Sequence, residues 1–515
     1  MRYLRRNVLL VYAIYALTLV SGLVVTPIII GALGEDQYGL WAFITSLFVF
    51  LGLLEFGIGP TIIRFAAEQR GRGAQAETSA LASTGLVLYG AIALATVVLG
   101  LALTVALPAL IELPDSLVSP GRLAFLLVLA GLVVRFPLAL FGNLLAGQQR
   151  YDLINLGSLL STVVYTGVVG VALYLRGGGV VALALITLAA TVVRLAFPAV
   201  WLWRELPGLR LSPSLVSRSH LRVLVGFSSH NFLINLASRV VFSTDVIVVG
   251  ILLGAAAAAH YGVAAKLFTL AFGFGVAGVT MLFPALAELE GAEQLERQRR
   301  YLLAGVRIGL SVVLLAALPL ALLPDGFLQA WLGEDYDRGF DAAVPVLALL
   351  MVSLAFAHPS HTLVQLLVAR GRHARLALVR LATVAANLVL SVVLALAVGL
   401  WGVALATLLT EGFAATVVLP LLARRETGLE IRPLVLAWLR PAALAAAAAL
   451  PTLVVLGRAI EVDTLLEFGA VGVCWALLFG LVTWLFGLED DERRLIRGAL
   501  RVRALPRVVE PTAES

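Results

Sequence analysis

Long apolar stretches separated by short polar turns dominate the chain from residue 8 to residue 487. A helix of about 20 apolar residues crosses the ~30 Å hydrocarbon core of a membrane, and these stretches reach that length. They are rich in Leu and Ala and do not alternate with period two, which excludes a membrane β-barrel. The pattern predicts an all-α polytopic membrane protein with about 14 transmembrane helices. The predicted spans are 8–33, 38–62, 80–106, 122–146, 153–174, 179–202, 224–253, 258–283, 302–323, 342–369, 374–398, 401–422, 436–457 and 466–487.

The chain also contains an internal duplication. Thr26–Gly34 leads to Tyr38-Gly39 as Thr244–Gly254 leads to Tyr261-Gly262, and a second pair of similar segments keeps an offset of 220 to 223 residues. Repeats of six spans each enter the membrane from the same side, so the two copies run parallel. Duplicated halves of this kind are typical of transporters in which one half rocks against the other.

The duplication predicts five regions. These are an N-terminal six-helix lobe (1–203), a cytoplasmic inter-lobe linker (204–223), a C-terminal six-helix lobe (224–423), two further helices (424–487) and a basic cytoplasmic tail (488–515).

Composition and charge agree with this architecture, since 61% of residues are hydrophobic and 13% are charged. Of the 37 basic residues, 27 fall in one alternate set of connections and the tail, and four fall in the opposite set. Cytoplasmic loops hold the positive charge, so we expect a multi-pass protein of the cytoplasmic membrane with both termini cytoplasmic. The net charge of +6 therefore reflects topology, and we expect no nucleic-acid partner.

Enzyme chemistry is not indicated. The lone Cys474 excludes disulfides, no loop is long enough for a catalytic domain, and the two neighbouring histidines 358 and 361 lack further metal ligands. We expect no catalytic residues, no metal and no cofactor, and hence no enzyme.

Charged residues inside the predicted spans are the main candidates for function. Each costs at least ~2.5–3.5 kcal/mol at a helix centre, so it should face a cavity or a partner. The excess of bases over acids favours an anionic ligand, while the acids are candidates for proton or sodium coupling or for neutralising a neighbouring base. The bases are Arg135, Arg194, Arg239, Lys266, Arg307 and Arg380, and the acids are Glu55, Asp245 and Glu411.

Lys266 is the only lysine of the chain, which suggests a required compact ammonium such as a phosphate contact. The alternative is an ion pair with Asp245. Polar stripes at helical spacing predict cavity-lining faces on spans 1, 7 and 11, whereas those on spans 5 and 12 fit helix–helix contacts equally well. The stripes on spans 1 and 7 include Tyr12, Tyr15, Asn231, Asn235 and Arg239.

Residues 488–503 begin with acids and continue with arginines, as a helix dipole prefers. This segment is either an amphipathic helix on anionic headgroups or a plain positively charged tail. The acids Glu489–Glu492 are predicted to be a solvated helix start, and Pro359 is predicted to kink span 10.

Several short motifs resemble the polysaccharide transporter (Wzx-like) family of lipid-linked oligosaccharide flippases, in the MOP exporter superfamily. The motifs are Pro27, Leu33-Gly34, Tyr38-Gly39-Leu40-Trp41, Gly52-Leu-Leu-Glu55-Phe-Gly57, Arg64-Phe-Ala-Ala, Ser243-Thr-Asp245, Leu253-Gly254, Tyr261-Gly262 and Ala265-Lys266-Leu267.

The resemblance implies two six-helix lobes around a V-shaped central cavity, with the last two helices bordering a groove for a lipid tail. It also implies transfer of a polyprenyl-linked glycan to the outer leaflet for a surface polysaccharide such as O-antigen. The chain lacks a clear counterpart of the helix 1 arginine of peptidoglycan-precursor flippases, which disfavours that precursor as substrate.

The residues and the resemblance together predict a flippase for a lipid-linked oligosaccharide that works by alternating access. Arg239, Lys266, Arg380, Arg135 and Arg194 would contact the phosphates, Asn231, Asn235, Tyr12 and Tyr15 would contact the sugars, and Asp245, Glu55 and Glu411 would carry a coupling H⁺ or Na⁺. Expected partners are the lipid-linked glycan, membrane lipids, the ion and other glycan-assembly proteins. The alternative is a small-molecule or drug antiporter of the same superfamily, and a membrane-embedded glycan polymerase or ligase is less favoured.

Overall fold

The computed structural model describes the backbone of residues 2–55, 57–176, 178–280 and 282–501. Within these ranges the side chains are described except for residues 2–16, 174–176, 227–242, 274–280, 282–285, 287, 338, 373–374, 495–496 and 498–501.

The described chain is built from helices joined by short turns, and no β-strand occurs in it. In chain order the α-helices are α1 (Arg2–Gly52), α2 (Ile58–Arg72), α3 (Gln75–Leu110), α4 (Asp115–Gly147), α5 (Tyr151–Arg176), α6 (Val180–Glu205), α7 (Arg218–Thr280), α8 (Leu282–Gly291), α9 (Leu295–Leu322), α10 (Pro324–Leu332), α11 (Ala343–Ala369), α12 (His373–Val398), α13 (Leu400–Phe413), α14 (Leu419–Thr427), α15 (Ile431–Ala449), α16 (Gly457–Ile460), α17 (Leu465–Val482) and α18 (Asp490–Arg501).

Twelve segments of the described chain are long and apolar enough to cross a membrane. Two of them lie in α1 and α7, which have 51 and 63 residues and are interrupted by non-helical Gly34 and Gly254. Both glycines have positive φ, 69° and 86°, a conformation that residues with a Cβ rarely adopt. Each long helix therefore corresponds to two predicted spans separated at its glycine. The predicted fold class, an all-α polytopic membrane protein with about 14 spans, is confirmed.

The two copies of the duplicated segment pack against each other, which the sequence does not reveal. A Cβ on Gly39 would lie 2.6 Å from the carbonyl carbon of Ala255 and closer still to its oxygen. A Cβ on Gly262 would likewise lie 2.9 Å from the Cβ of Ala42. Glycine thus permits direct backbone contact between the first and the second half of the chain. The boundaries of the predicted lobes stay a prediction.

The segment between α6 and α7 runs along α3. Its backbone N–H groups at Arg210 and Ser212 donate to the hydroxyls of Ser79 and Ser83, both at 3.2 Å. These bonds satisfy backbone donors that the irregular segment leaves outside a helix.

The tail helix α18 is attached to α9 by buried charges. Arg307 donates to Glu492 Oε1 from Nη2 at 2.6 Å and from Nε at 3.0 Å, and its Nη2 also lies 2.9 Å from Glu489 Oε1. Glu492 is only 3% exposed. The prediction of a solvated acidic helix start is wrong at this residue, because Glu492 neutralises the arginine of a neighbouring membrane helix.

Candidate substrate and ion site

Asp245 lies in the first half of α7 and is 1% exposed. Its Oδ2 accepts hydrogen bonds from the hydroxyls of Tyr261, at 2.8 Å, and Thr407, at 2.7 Å. Its Oδ1 has no hydrogen-bond partner among the described residues. A buried carboxylate costs several kcal/mol unless it is paired, and this oxygen lacks such a pairing among the described residues.

The partners of Asp245 form a polar network between α7, α12 and α13. Asn387 on α12 donates its amide to Thr407 Oγ1 at 3.1 Å, and Thr407 in turn donates to Asp245. One helical turn along α12, the fully buried hydroxyl of Ser391 lies near the Asp245 carboxylate. Single polar residues of predicted spans 7, 8, 11 and 12 therefore meet at one oxygen-rich cluster, the Asp245 cluster (Asp245, Tyr261, Asn387, Ser391 and Thr407).

Glu55 belongs to a second network, in the first half of the chain. Its Oε1 accepts a hydrogen bond from the Tyr89 hydroxyl at 3.2 Å, and Tyr89 accepts one from the Asn143 amide at 3.1 Å. Arg135 Nη2 lies 3.6 Å from Glu55 Oε2. Glu55 ends a short 3₁₀ turn, and Gly57 then restarts the chain as α2 through a left-handed conformation. Glu55 thus neutralises Arg135. This is one of the two roles predicted for it, the other being ion coupling.

Glu411 on α13 has a similar role. It is 3% exposed, and its Oε1 lies 3.5 Å from Arg380 Nη1 on α12. Arg194 on α6 has an exposed side chain. Two of the predicted arginines, Arg135 and Arg380, therefore have carboxylate partners, while Arg194 remains accessible to a ligand.

Lys266 lies in the second half of α7 with its side chain exposed. Among the described side chains none forms a hydrogen bond or an ion pair with its amine, and Asp245 bonds to Tyr261 and Thr407 instead, so the alternative pairing with Asp245 is not observed. The Lys266 Cε lies 3.8 Å from the position of a Cβ on Gly22 of α1, and Leu270, one turn further along α7, is 3.3 Å from the same position. The lysine therefore lies where α7 faces α1.

An apolar cavity of about 430 Å³ lies beside this contact. It has the size of a small-molecule binding pocket, although its walls carry almost no polar atoms. Helices α1, α7, α9, α10 and α17 contribute its walls, including Leu23, Leu270, Pro319, Phe327 and Trp475. An ammonium and an apolar cavity thus lie next to each other between the two halves of the chain.

The remaining predicted site residues fall outside the described part of the structure. These are the side chains of Tyr12, Tyr15, Asn231, Asn235 and Arg239. In the described residues no three His, Cys, Asp or Glu side chains converge on a common point.

Sequence reasoning missed Tyr261, Tyr89 and Asn143 as members of the polar networks. Tyr261 belongs to the duplicated Tyr-Gly motif, but nothing in that motif reveals a contact with Asp245, 16 residues away. Tyr89 and Asn143 are isolated polar residues in apolar helices, and this is the only signal that could have identified them.

Solved structures of transporters share this fold. An inward closed lipid II flippase MurJ matches with a TM-score of 0.70 and 16% identity, covering 95% of this chain and 99% of its own. An inward-facing multidrug resistance MATE family transporter of the MOP superfamily matches with 0.64 and 17%, covering 81% and 94%. A MOP superfamily transporter from Pyrococcus furiosus, described by the reversed polarity of its binding pocket, matches with 0.54 and 16%, covering 82% and 95%.

At these identities the matches show the fold, which is that of multi-pass membrane transporters. No curated protein sequence matches the chain. A sequence model of one family, described as polysaccharide biosynthesis protein, matches residues 4–290. Because this match covers more than half of the sequence, the chain belongs to the polysaccharide biosynthesis protein family.

Proposed function

We propose that the protein is a flippase that moves a lipid-linked oligosaccharide from the cytoplasmic to the outer leaflet for surface polysaccharide or glycoconjugate synthesis. The carrier would be a polyprenyl phosphate or pyrophosphate, and the cycle would be alternating access of the two lobes. Both termini would be cytoplasmic, as the distribution of arginines indicates.

The observation that carries this proposal is the position of Lys266 beside the apolar cavity. Lys266 carries an amine that suits a phosphate, and the cavity walls from Leu23 to Trp475 suit a hydrocarbon chain. A substrate with an anionic head and a long apolar tail needs both environments next to each other. The resemblance suggests that the last two helices border a groove for the lipid tail. The cavity agrees with that role, since α17 forms one of its walls.

The charges of the bundle support an anionic substrate. Glu55 and Glu411 each lie close to one arginine, Arg135 and Arg380. Lys266 and Arg194 then remain as exposed bases of the described spans to attract phosphate, and Arg239 is proposed to act with them. Asn231, Asn235, Tyr12 and Tyr15 are proposed to contact the sugars.

The Asp245 cluster supports coupling to an ion. Asp245 Oδ1 has no hydrogen-bond partner of standard geometry among the described residues, and the hydroxyl of Ser391 and the amide of Asn387 belong to the same cluster. Oxygen ligands of this kind suit a hard cation, and a buried carboxylate alone suits a proton. Asp245 is therefore a stronger candidate for H⁺ or Na⁺ coupling than Glu55 or Glu411, which already neutralise arginines.

Surface glycan display by cells tests the proposal. Lys266→Met keeps the length of the side chain and removes its charge, and Lys266→Arg keeps the charge. A charge-assisted hydrogen bond contributes about 1.5–3 kcal/mol, so we expect Lys266→Met to reduce glycan display roughly 10- to 100-fold and Lys266→Arg to retain more of it. Arg239→Ala, which removes the whole side chain of the second proposed phosphate contact, should abolish display. Normal display by both Lys266→Met and Arg239→Ala, at normal membrane levels, would refute the assignment.

A second candidate is an ion-coupled small-molecule or drug antiporter. The buried carboxylate of Asp245 favours it, because no base of the described structure pairs with Asp245, and organic cations bind unpaired carboxylates. Increased drug resistance on expression, lost in Asp245→Asn, would support this alternative. Resistance unchanged by expression would exclude it for the compounds tested.

A further inference from the structure

Three tryptophans of the described chain donate to backbone carbonyls that prolines leave without a helical partner. In an α-helix the N–H of residue i bonds to the carbonyl of residue i−4, and proline has no N–H. Each of these carbonyls lies four residues before a proline inside a membrane helix, and each accepts a hydrogen bond from an indole of another helix. The bonds are Trp331 to Leu23 before Pro27 at 2.7 Å, Trp475 to Leu315 before Pro319 at 3.0 Å, and Trp438 to Ala355 before Pro359 at 3.0 Å.

Two of these bonds attach the last helices of the chain to the second half. Trp438 joins α15 to α11, and its ring also packs edge-on against Phe356 with centroids 5.2 Å apart. Trp475 joins α17 to α9 and is 1% exposed. An unsatisfied carbonyl is costly in lipid. These indole hydrogen bonds therefore offset the cost of the backbone bonds that the prolines of α9 and α11 remove.

The third bond crosses between the two halves. Trp331 lies on α10, the short helix between α9 and α11, whereas Leu23 lies on α1. The indole is 7% exposed and stacks on Phe327 with centroids 5.5 Å apart. About two turns further along α1, a Cβ on Gly31 would lie 2.9 Å from the carboxylate of Asp335. Trp331 therefore lies in a closely packed contact between α1 and the segment after α9.

We propose that the bond from Trp331 to the Leu23 carbonyl is a latch that keeps the two halves closed at the end of the bundle opposite the start of α1. This proposal rests on the rocking movement assumed in the proposed function. When the halves separate, the indole withdraws, and the carbonyl freed by Pro27 accepts a hydrogen bond from water in the opening cleft instead. Closure then returns the carbonyl to the indole, so that this carbonyl has a partner in both states.

Distances between spin labels in the full-length protein test the latch. In a Cys474→Ser background, labels at the exposed positions Ser116 in the first half and Ala397 on α12 in the second half report the separation of the halves at this end. Trp331→Phe keeps an aromatic ring and removes the N–H. A hydrogen bond of this kind changes an equilibrium by roughly 2- to 10-fold, so the ratio of long to short distances should rise by that factor.

Trp438→Phe is the matched control, because it removes an equivalent bond to a proline-freed carbonyl without crossing between the halves. It should leave the distance ratio unchanged. An unchanged ratio in Trp331→Phe, or an equal rise in both variants, would overturn the latch.

Pro27→Ala gives a second test that keeps the tryptophan. The backbone N–H that this substitution introduces at position 27 competes for the Leu23 carbonyl. The variant should therefore also raise the ratio of long to short distances, and adding Trp331→Phe to it should have little further effect. Full additivity of the two changes would contradict the proposal. The distance readout does not depend on transport, so a failure of the proposed flippase activity leaves the latch testable by itself.

Discussion

Gly39→Ala tests whether the two duplicated segments hold the halves together. A methyl group there would lie 2.6 Å from the carbonyl carbon of Ala255 and 3.1 Å from the nitrogen of Ala259. Non-bonded carbon atoms in van der Waals contact are about 3.5–4.0 Å apart, so the two backbones must separate by roughly 1 Å to admit the methyl group. Overpacking of this kind costs about 1–3 kcal/mol, which corresponds to a shift of about 5- to 150-fold toward an arrangement in which the contact is open.

Alkylation of a single cysteine measures this shift. In a Cys474→Ser background, Ala256→Cys places a thiol at a half-buried position beside the contact. We expect Gly39→Ala to raise its rate of reaction with a membrane-impermeant maleimide by about 5- to 150-fold. Gly90→Ala on α3 is the control, since nothing lies within 4 Å of its Cβ position, and it carries the same gain in helix propensity. Equal reaction rates in the two variants would refute the packing argument.

Two further predictions concern the buried charges. Arg307→Ala leaves Glu492 buried without its partner, so it should reduce stability by about 3–5 kcal/mol in a thermal-unfolding assay, whereas Arg494→Ala, at a side chain 76% exposed, should change it by less than about 0.5 kcal/mol. A small effect of Arg307→Ala would show that α18 contributes little to stability. Asp245→Asn removes a buried charge, so the protein should stay folded while its transport becomes independent of an imposed H⁺ or Na⁺ gradient. Gradient dependence that persists in this variant would exclude Asp245 as the coupling residue.

The sequence pattern predicts the helices well because membrane helices are long and apolar. The repeated Leu-Gly motif also marks the two breaks, since Gly34 and Gly254 adopt positive φ where α1 and α7 are interrupted. Hydropathy does not say which helix faces meet, however. Asp245, for example, accepts a hydrogen bond from Thr407, which lies 162 residues away in the chain, and the hydropathy of the two spans does not predict that contact.

The charged residues of the spans illustrate the same limit. Their cost in lipid predicts correctly that they need partners, and Glu55, Glu411 and Arg307 have them. The identity of the partner depends on packing, so the sequence alone places Glu492 in solvent although it lies against α9. The sequence also leaves Lys266 open to pairing with Asp245, and only the fold brings the lysine beside α1.

Transfer of a lipid-linked oligosaccharide by the purified protein tests the central claim most directly. The protein is reconstituted into vesicles that contain a fluorescent polyprenyl pyrophosphate-linked oligosaccharide, and an impermeant quencher reports how much of the label remains in the inner leaflet. We expect the wild-type protein to move the label between leaflets and Lys266→Met to do so at least about 10-fold more slowly. Label that crosses no faster than in protein-free vesicles, with protein that is folded and correctly inserted, would contradict the account.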